Sequence, residues 1–335
     1  MTKRSVTWPA GAQLGVIAQA GVLLAGLAAF TAPAAAQGFP DHPIKVVSGY
    51  LPGGPSDTMA RIATLGLGDV LGQNVYVENI IGAGGKIGTR AVARAAPDGY
   101  TLLLSGTNDI AVTPALYKHL DYDPVADFSP VAAVARDPQV MVINPMVPVH
   151  TLAELVQYAK EHPGKLSSGA SIGIAPHLLL EYFRVRTGTD IVFVPYNGAA
   201  PAVADLLGNH IQINVTTKAV LLPHILSGRL RALAVTSAER WPELPDVPTF
   251  RESGYDGYPE YLWFGLFAPK GTPDDVIGKI NAAENMRLKS SDMQAAMAKL
   301  SVEAQPMSPK EFSAVMDTQV RQWGDVAREA GIHLD

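Results

Sequence analysis

The stretch Ile44-Lys45-Val46-Val47-Ser48-Gly49-Tyr50-Leu51-Pro52-Gly53-Gly54-Pro55-Ser56-Asp57 decides the fold class. It passes from a β-branched strand, Ile44 to Tyr50, through a Pro/Gly turn into a helical pattern running through Met59 to Leu71. A strand that hands over to a helix in this way opens a parallel α/β unit. The alternation continues downstream. Further strand candidates are Val75 to Glu78, Thr101 to Ser105, Val131 to Ile143, Ile191 to Val194, Ile211 to Val215, Leu230 to Thr236 and Phe264 to Ala268, with helical patterns between them. Thr151-Leu152-Ala153-Glu154 reads as a capping box, in which the hydroxyl takes an orphan amide and the glutamate reaches back; that helix stops at Pro163-Gly164. Another helix covers about Pro309 to Ala330, and its stripe Phe312, Val315, Met316, Gln319, Val320, Trp323 and Val326 is core packing. Phe128 to Asn144 and Leu230 to Ser237 are long enough to cross between two lobes. The first lobe then opens the chain and also closes it: 37–138 plus 236–335, with 139–235 as the second lobe. The Pro-rich segment Trp241 to Pro259 is too irregular for a sheet and is expected to wrap a surface.

The composition excludes several classes of function. The chain has 335 residues, 47% of them hydrophobic and 17% charged, with a formal net charge of −5 and no cysteine. It is too apolar for a disordered chain, and its length suggests two domains. Without cysteine there is no disulfide framework, thiolate metal site or cysteine nucleophile. The acidic balance argues against nucleic acid as a partner, because that affinity rests on clustered Lys and Arg.

The N-terminus reads as an export signal. Lys3 and Arg4 precede an apolar run from about Leu14 to Phe30, and Ala34 and Ala36 occupy the small cleavage positions before Gln37. Cleavage after about Ala36 removes two basic residues and no acid, so the mature chain is more acidic still. No later segment reaches the length of an apolar membrane span. A periplasmic location follows as the expectation.

Four local patterns invite chemistry. The loop Leu51 to Ser56 precedes a helix start, where free amides make an anion site; Asp57 is read as that helix's cap, with Pro52 to Ser56 supplying backbone donors to a carboxylate. Gly82-Ala83-Gly84-Gly85-Lys86-Ile87-Gly88-Thr89 suggests a nucleotide loop but fails on spacing, since Ile87 stands where Ser, Thr or Gly is required. Gly169-Ala170-Ser171-Ile172-Gly173 matches the nucleophile elbow of a hydrolase, with Asp246 or Asp256 and His333 as the only nominees for the rest of a triad. The competing reading makes Ser171 part of a polar loop over a ligand. The eight histidines show no metal-binding spacing, and the carboxylates form no dyad; no metal or cofactor is called for.

With these residues in place the sequence resembles the Bug proteins, the periplasmic solute-binding proteins of tripartite tricarboxylate transporters. The resemblance extends from His42-Pro43-Ile44 to Ala330-Gly331-Ile332. It is carried by Tyr50 to Asp57, Val77-Glu78-Asn79, Gly82 to Thr89, Ala95-Ala96-Pro97-Asp98-Gly99-Tyr100-Thr101-Leu102-Leu103, Val194-Pro195-Tyr196 with Gly198 to Ala202, Leu233 to Ala238, Leu244 to Thr249, and Trp263-Phe264-Gly265-Leu266 with Ala268-Pro269.

The resemblance implies an α/β, two-lobed periplasmic binding fold of the type II kind. Each lobe is a mostly parallel sheet flanked by helices, and the ligand cleft lies between them. It implies a monomer without enzymatic activity that captures a small carboxylate and hands it to membrane permease subunits. The ligand's carboxylate would meet Leu51, Pro52, Gly53, Gly54, Pro55 and Ser56, and Tyr50, where the family often has phenylalanine, would pack on it. Thr107 and Asn108 belong to a second cleft loop. Ala170, Ser171, Ile172, Gly173 and Ile174, with Tyr196, Asn197, Gly198 and Ala199, would hold the ligand from the second lobe. Thr216 replaces a frequent aspartate, and Tyr261 replaces a smaller residue. The missing acid suggests a ligand without an ammonium, with an apolar or aromatic body against Tyr50, Ile172, Ile174 and Tyr261. A secreted serine hydrolase and a subunit that reports ligand occupancy to a membrane receptor are the alternatives.

Overall fold

The computed structural model describes residues 38–334 together with Thr2, so the expected export signal and its cleavage point lie outside the described residues. β1 (Ile44–Ser48) passes through the Pro/Gly loop into α1 (Pro55–Thr64) and α2 (Leu67–Leu71). β2 (Val75–Asn79) and a glycine-rich turn lead into α3 (Lys86–Ala93). β3 (Thr101–Gly106) continues as a π-helix, Thr107–Val112, and then α4 (Thr113–Leu116). Next come β4 (Phe128–Ile143), α5 (Leu152–Glu161), β5 (Ser167–Ser171), α6 (Ala175–Thr187), β6 (Val192–Tyr196), α7 (Ala199–Leu207), β7 (Ile213–Thr217), α8 (Lys218–Leu226) and β8 (Arg231–Val235). The chain closes with β9 (Tyr261–Pro269), α9 (Asp274–Leu288), α10 (Ser291–Lys299), β10 (Glu303–Ala304) and α11 (Pro309–Ala330).

The strands follow the order β2-β1-β3-β9-β4-β7-β5-β6, and β8 and β10 also pair with β4. β1 lies parallel to β2 and β3, and β5 lies parallel to β6 and β7. Between these parallel groups β9 and β4 run antiparallel. β4 carries the chain from one half to the other: residues 128–138 pair with β9, whereas 139–143 pair with β7 and β8. It is buried on both faces through Val131–Ala135 and Val140–Ile143, as a central strand covered by helices must be. Register shifts near Ala132 and Ala135 add the local twist that bulges introduce.

Each half has its own core. In the first, Val47, Leu103, Phe128, Trp263, Phe267 and Phe312 cluster together, with α11 contributing Phe312 and Met316. In the second, Val140, Val142, Val203, Leu206, Leu221 and Val235 pack with Trp241 of the Pro-rich segment. That segment does wrap the protein, and it buries Trp241, Phe250 and Tyr258 as it goes.

The nucleotide-like glycines have a packing purpose. A Cβ on Gly49 would sit 2.8 Å from the Gly85 Cα, and one on Gly88 would sit 2.9 Å from the Gly49 Cα. Glycine at these positions lets the start of α3 rest directly on the end of β1.

Two local readings need correction. β5 is absent from the strand candidates because Ser167-Ser168-Gly169-Ala170-Ser171 has no β-branched or aromatic residue. Tertiary packing selects it: a Cβ on Gly169 would come within 2.5 Å of the Tyr196 ring. At α5, Thr151 Oγ1 accepts the Glu154 amide (3.1 Å), but Glu154 reaches the His150 amide (2.6 Å) rather than that of Thr151. The reciprocal box sits instead at α11, between Ser308 and Glu311.

Candidate functional site

The carboxyl ends of β1 and β3 in one half, and of β5, β6 and β7 in the other, hold the loops singled out from sequence. This is where open α/β sheets place ligands. In the first loop Gly54, not Asp57, is the N-cap residue of α1. Asp57 lies at the third helical position, 2% exposed, and holds the loop from below. Its Oδ2 accepts the Gly53 amide (2.9 Å) and Arg61 Nε (2.9 Å); its Oδ1 accepts Arg61 Nη2 (3.1 Å) and Asn79 Nδ2 (2.9 Å). Asn79 Nδ2 also donates to the Tyr50 carbonyl (3.0 Å). Burial by itself pushes the Asp57 carboxyl up, but Gly53, Arg61 and Asn79 together hold it below its ordinary value. With both oxygens occupied, Asp57 positions the loop rather than touching an anion. Pro55 has no amide and the Thr58 amide bonds back to Gly54 (2.9 Å), which leaves Ser56 and Asp57 as the helix's first free donors. Gly53, at φ +81°, makes the turn that presents them, and Leu51 stands 65% exposed at the rim.

Tyr50 has a different use from the one expected. Its hydroxyl donates to Asp109 Oδ1 (2.7 Å), and Ser105 Oγ donates to Asp109 Oδ2 (2.7 Å). Its ring lies against Gly85, where a Cβ would approach to 3.0 Å. Burial raises the Asp109 carboxyl, against the opposing effect of Tyr50 and Ser105, and burial followed by Asp109 raises the Tyr50 phenol. Thr107 is also spent internally: its hydroxyl donates to Gln319 Oε1 (3.1 Å) and accepts the Trp263 amide (2.9 Å). Asn108 Oδ1 accepts the Ala175 amide at the start of α6 (3.0 Å), a bond from the first half-sheet to the second. A cavity of about 10 Å³, the space of one water-sized sphere, remains between Ser56, Asn108, Asp109 and Leu262. A wider, open groove of about 440 Å³ is lined by Pro52, Gly53, Asp57 and the rest of α1 out to Leu65, and by nothing from the second half.

On the second half, Ser171 Oγ accepts the Gly198 amide (2.8 Å) and so ties the two loops together. Among the described residues no histidine is hydrogen-bonded to Ser171. The neighbouring His177 accepts the Gly173 amide at Nδ1 (3.4 Å), and burial depresses its pKa. Ile172 is 53% exposed at the rim, Ile174 is the N-cap residue of α6, and Ala170 is buried. Asn197 is exposed, while Gly198 and Ala199 begin α7. Tyr196 turns inward: its hydroxyl donates to Asp205 Oδ2 (2.7 Å), and burial with Asp205 raises its pKa to about 12. It supports the loop from behind.

Two residues expected at the ligand pack toward the cores. Thr216 is opposite Val140 and shares its side with the second core, whereas Thr217 is opposite Gln139. Tyr261 packs on the first core with the Arg136 guanidinium 4.1 Å from its ring centre, and the next three residues, Leu262, Trp263 and Phe264, line the small cavity. A shift of one residue in a strand reverses its face. The sequence reading also missed two buried acids, Asp109 beside the small cavity and Asp137 beside the start of α8.

The profile of the tripartite tricarboxylate transporter family receptor matches residues 59–332. The chain belongs to this family. It is 38% identical over 321 residues to Protein BugT of Bordetella pertussis, across 95% of this chain and 98% of that protein. The structure of the periplasmic binding protein BugD superposes with a TM-score of 0.78 at 36% identity, covering 88% of this chain and 99% of that one. R. palustris Rpa4515 with adipate gives 0.80 at 32% identity, over 88% and 99%. MatC of Rhodopseudomonas palustris with bound malate gives 0.77 at 31% identity, over 86% and 100%. The fold is therefore the two-lobed α/β architecture of the periplasmic binding proteins in this receptor family. Among the described residues no helix is long and apolar enough to cross a membrane.

Proposed function

We propose that this receptor-family protein captures a small carboxylate between its lobes and delivers it to the membrane permease subunits of a tripartite transporter. The observation that carries the reading is the Asp57-clamped loop, which leaves the Ser56 and Asp57 amides unspent at the helix start and has its own carboxylate fully engaged. Adipate in one relative and malate in another support a carboxylate as cargo. Leu51 and Ile172, both exposed at the rim, suit an apolar stretch of the ligand.

The moving bodies are 37–138 with 236–335, and 139–235. They hinge where β4 changes partners and where the chain returns after β8. Ligand that touches both bodies stabilises the closed arrangement and shifts the population toward it. The mature protein, cleaved after about Ala36, works as a periplasmic monomer and carries out no chemistry on its cargo.

A thermal-shift screen of small carboxylates on the mature protein tests this. The cognate acid should stabilise the protein by about 2.7 kcal/mol at a hundredfold excess over its dissociation constant. No ester turnover is expected, and turnover abolished by Ser171→Ala would replace binding with hydrolysis.

A further inference from the structure

At the carboxyl end of β7 three buried polar side chains have hydrogen-bonding capacity unspent. Gln139 is fully buried, and neither its Oε1 nor its Nε2 has a partner. Asp137 and Thr217, each 3% exposed, leave Oδ1 and Oγ1 unpartnered. Buried polar atoms are rarely left so, and each forfeits its hydration without return.

The strand register brings the three together. Gln139 pairs directly with Thr217, and Asp137 pairs with Leu262, which lines the small cavity beside Ser56 and Asn108. Antiparallel partners project to the same face, as do residues two apart on one strand. Asp137, Gln139 and Thr217 therefore share one face of β4 and β7 beside the start of α8, and Leu262, the partner of Asp137, borders the small cavity. Asp137 is faced by the Thr217 hydroxyl, the Lys218 and Ala219 amides and the Lys218 ammonium, yet burial still raises its carboxyl well above the ordinary range. The Lys218 ammonium is itself committed to Glu243 at 2.9 Å.

We propose that Asp137, Gln139 and Thr217 form a second recognition point, which takes a hydroxyl or ammonium on the body of the carboxylate held by the 51–56 loop. The inference rests on the carboxylate reading. A purely hydrocarbon body would leave all these atoms unpaired. A donor group satisfies Asp137 Oδ1 or Gln139 Oε1, and a hydroxyl can also accept from Gln139 Nε2 or Thr217 Oγ1. The acid absent at 216 thus has a counterpart on the adjacent strand, at 137.

Calorimetric titration of the mature protein with matched acids tests it. Succinate, malate and aspartate differ only in the hydrogen, hydroxyl or ammonium at one carbon. Adipate with its 2-hydroxy and 2-amino forms, and benzoate with 4-hydroxybenzoate and 4-(aminomethyl)benzoate, extend the comparison to other bodies. In at least one set the donor-bearing acid should bind at least about tenfold more tightly than its plain parent. Gln139→Leu and Asp137→Asn should each shrink that gap to under about threefold by weakening the donor-bearing acid more than the plain one, and Asp137→Asn should affect the ammonium acid more. Equal affinity within every set overturns the second recognition point and leaves carboxylate capture standing. Failure of every acid to bind overturns capture itself. Equal weakening of plain and donor-bearing acids by both variants makes the cluster structural and also overturns the proposal. Should a variant fail to fold, the wild-type comparison decides alone.

Discussion

Asp57 and Asp137 are both buried aspartates beside the start of a helix, at 2% and 3% exposure, and their surroundings drive them in opposite directions. Asp57 has a backbone amide, a guanidinium and a side-chain amide on its two oxygens, and its carboxyl is held below the ordinary value. Asp137 has an unpartnered oxygen, and burial raises its carboxyl. The first is a finished structural joint. The second is poised to gain a partner. Burial alone therefore does not tell whether a charged side chain holds the fold together or waits for a ligand; the count of satisfied oxygens does.

The largest effect should come from Asp57→Ala. It strands the Gly53 amide and Asn79 and releases Arg61, so a loss of about 3 kcal/mol in denaturant unfolding is expected, together with collapse of carboxylate affinity. Below about pH 3.9, where the carboxyl is neutral in the folded and the unfolded chain, Asp137→Asn should change stability by less than about 1 kcal/mol, because the amide keeps the shape of the neutral acid. Equal losses in the two variants would end the contrast.

The pH dependence should separate them further. With its folded pKa lowered, Asp57 contributes stability above its unfolded value of about 3.9, and that contribution is lost as pH falls through the lower folded value. Asp137 has the opposite sign: its contribution is complete below about 3.9 and is lost as pH rises toward its raised folded value. Unfolding curves across pH should show that Asp57→Asn flattens the acid limb and Asp137→Asn flattens the limb above it.

Smaller effects probe single hydrogen bonds between and within the halves. Asn108→Ala removes the bond to the Ala175 amide and should cost about 1 kcal/mol. Small-angle scattering should then show a larger radius of gyration for the unliganded variant. Ser171→Ala frees the Gly198 amide and should cost about 0.5 kcal/mol, read from the midpoint of thermal unfolding.

Much of the fold is legible in local pattern. The stretch 44–57, the long apolar run of β4 and the amphipathic stripe of α11 each declare their element, because burial on one or both faces requires a fixed hydrophobic period. The 51–56 loop is legible for the same kind of reason, since paired glycines before a helix start have few other uses. The core-side packing of Thr216 and Tyr261 is not legible, because a strand's face is set by its pairing partners and leaves no mark on a single residue. Asp109, Asp137 and Gln139 carry no local signal. Their significance comes from Tyr50, Leu262 and Thr217, which are distant in sequence or brought beside them only by strand pairing.

By itself the sequence determined the α/β alternation, the crossing strand, the Pro/Gly loop before α1 and the family resemblance, all properties of contiguous residues with a period or a turn chemistry. Only the tertiary structure decided which polar side chains are already satisfied and which are not. Hydrogen-bond satisfaction depends on atoms within about 3 Å of one another, and in this protein those atoms come from β1 and α1, from β4 and β7, or from a loop of one lobe and a helix start of the other.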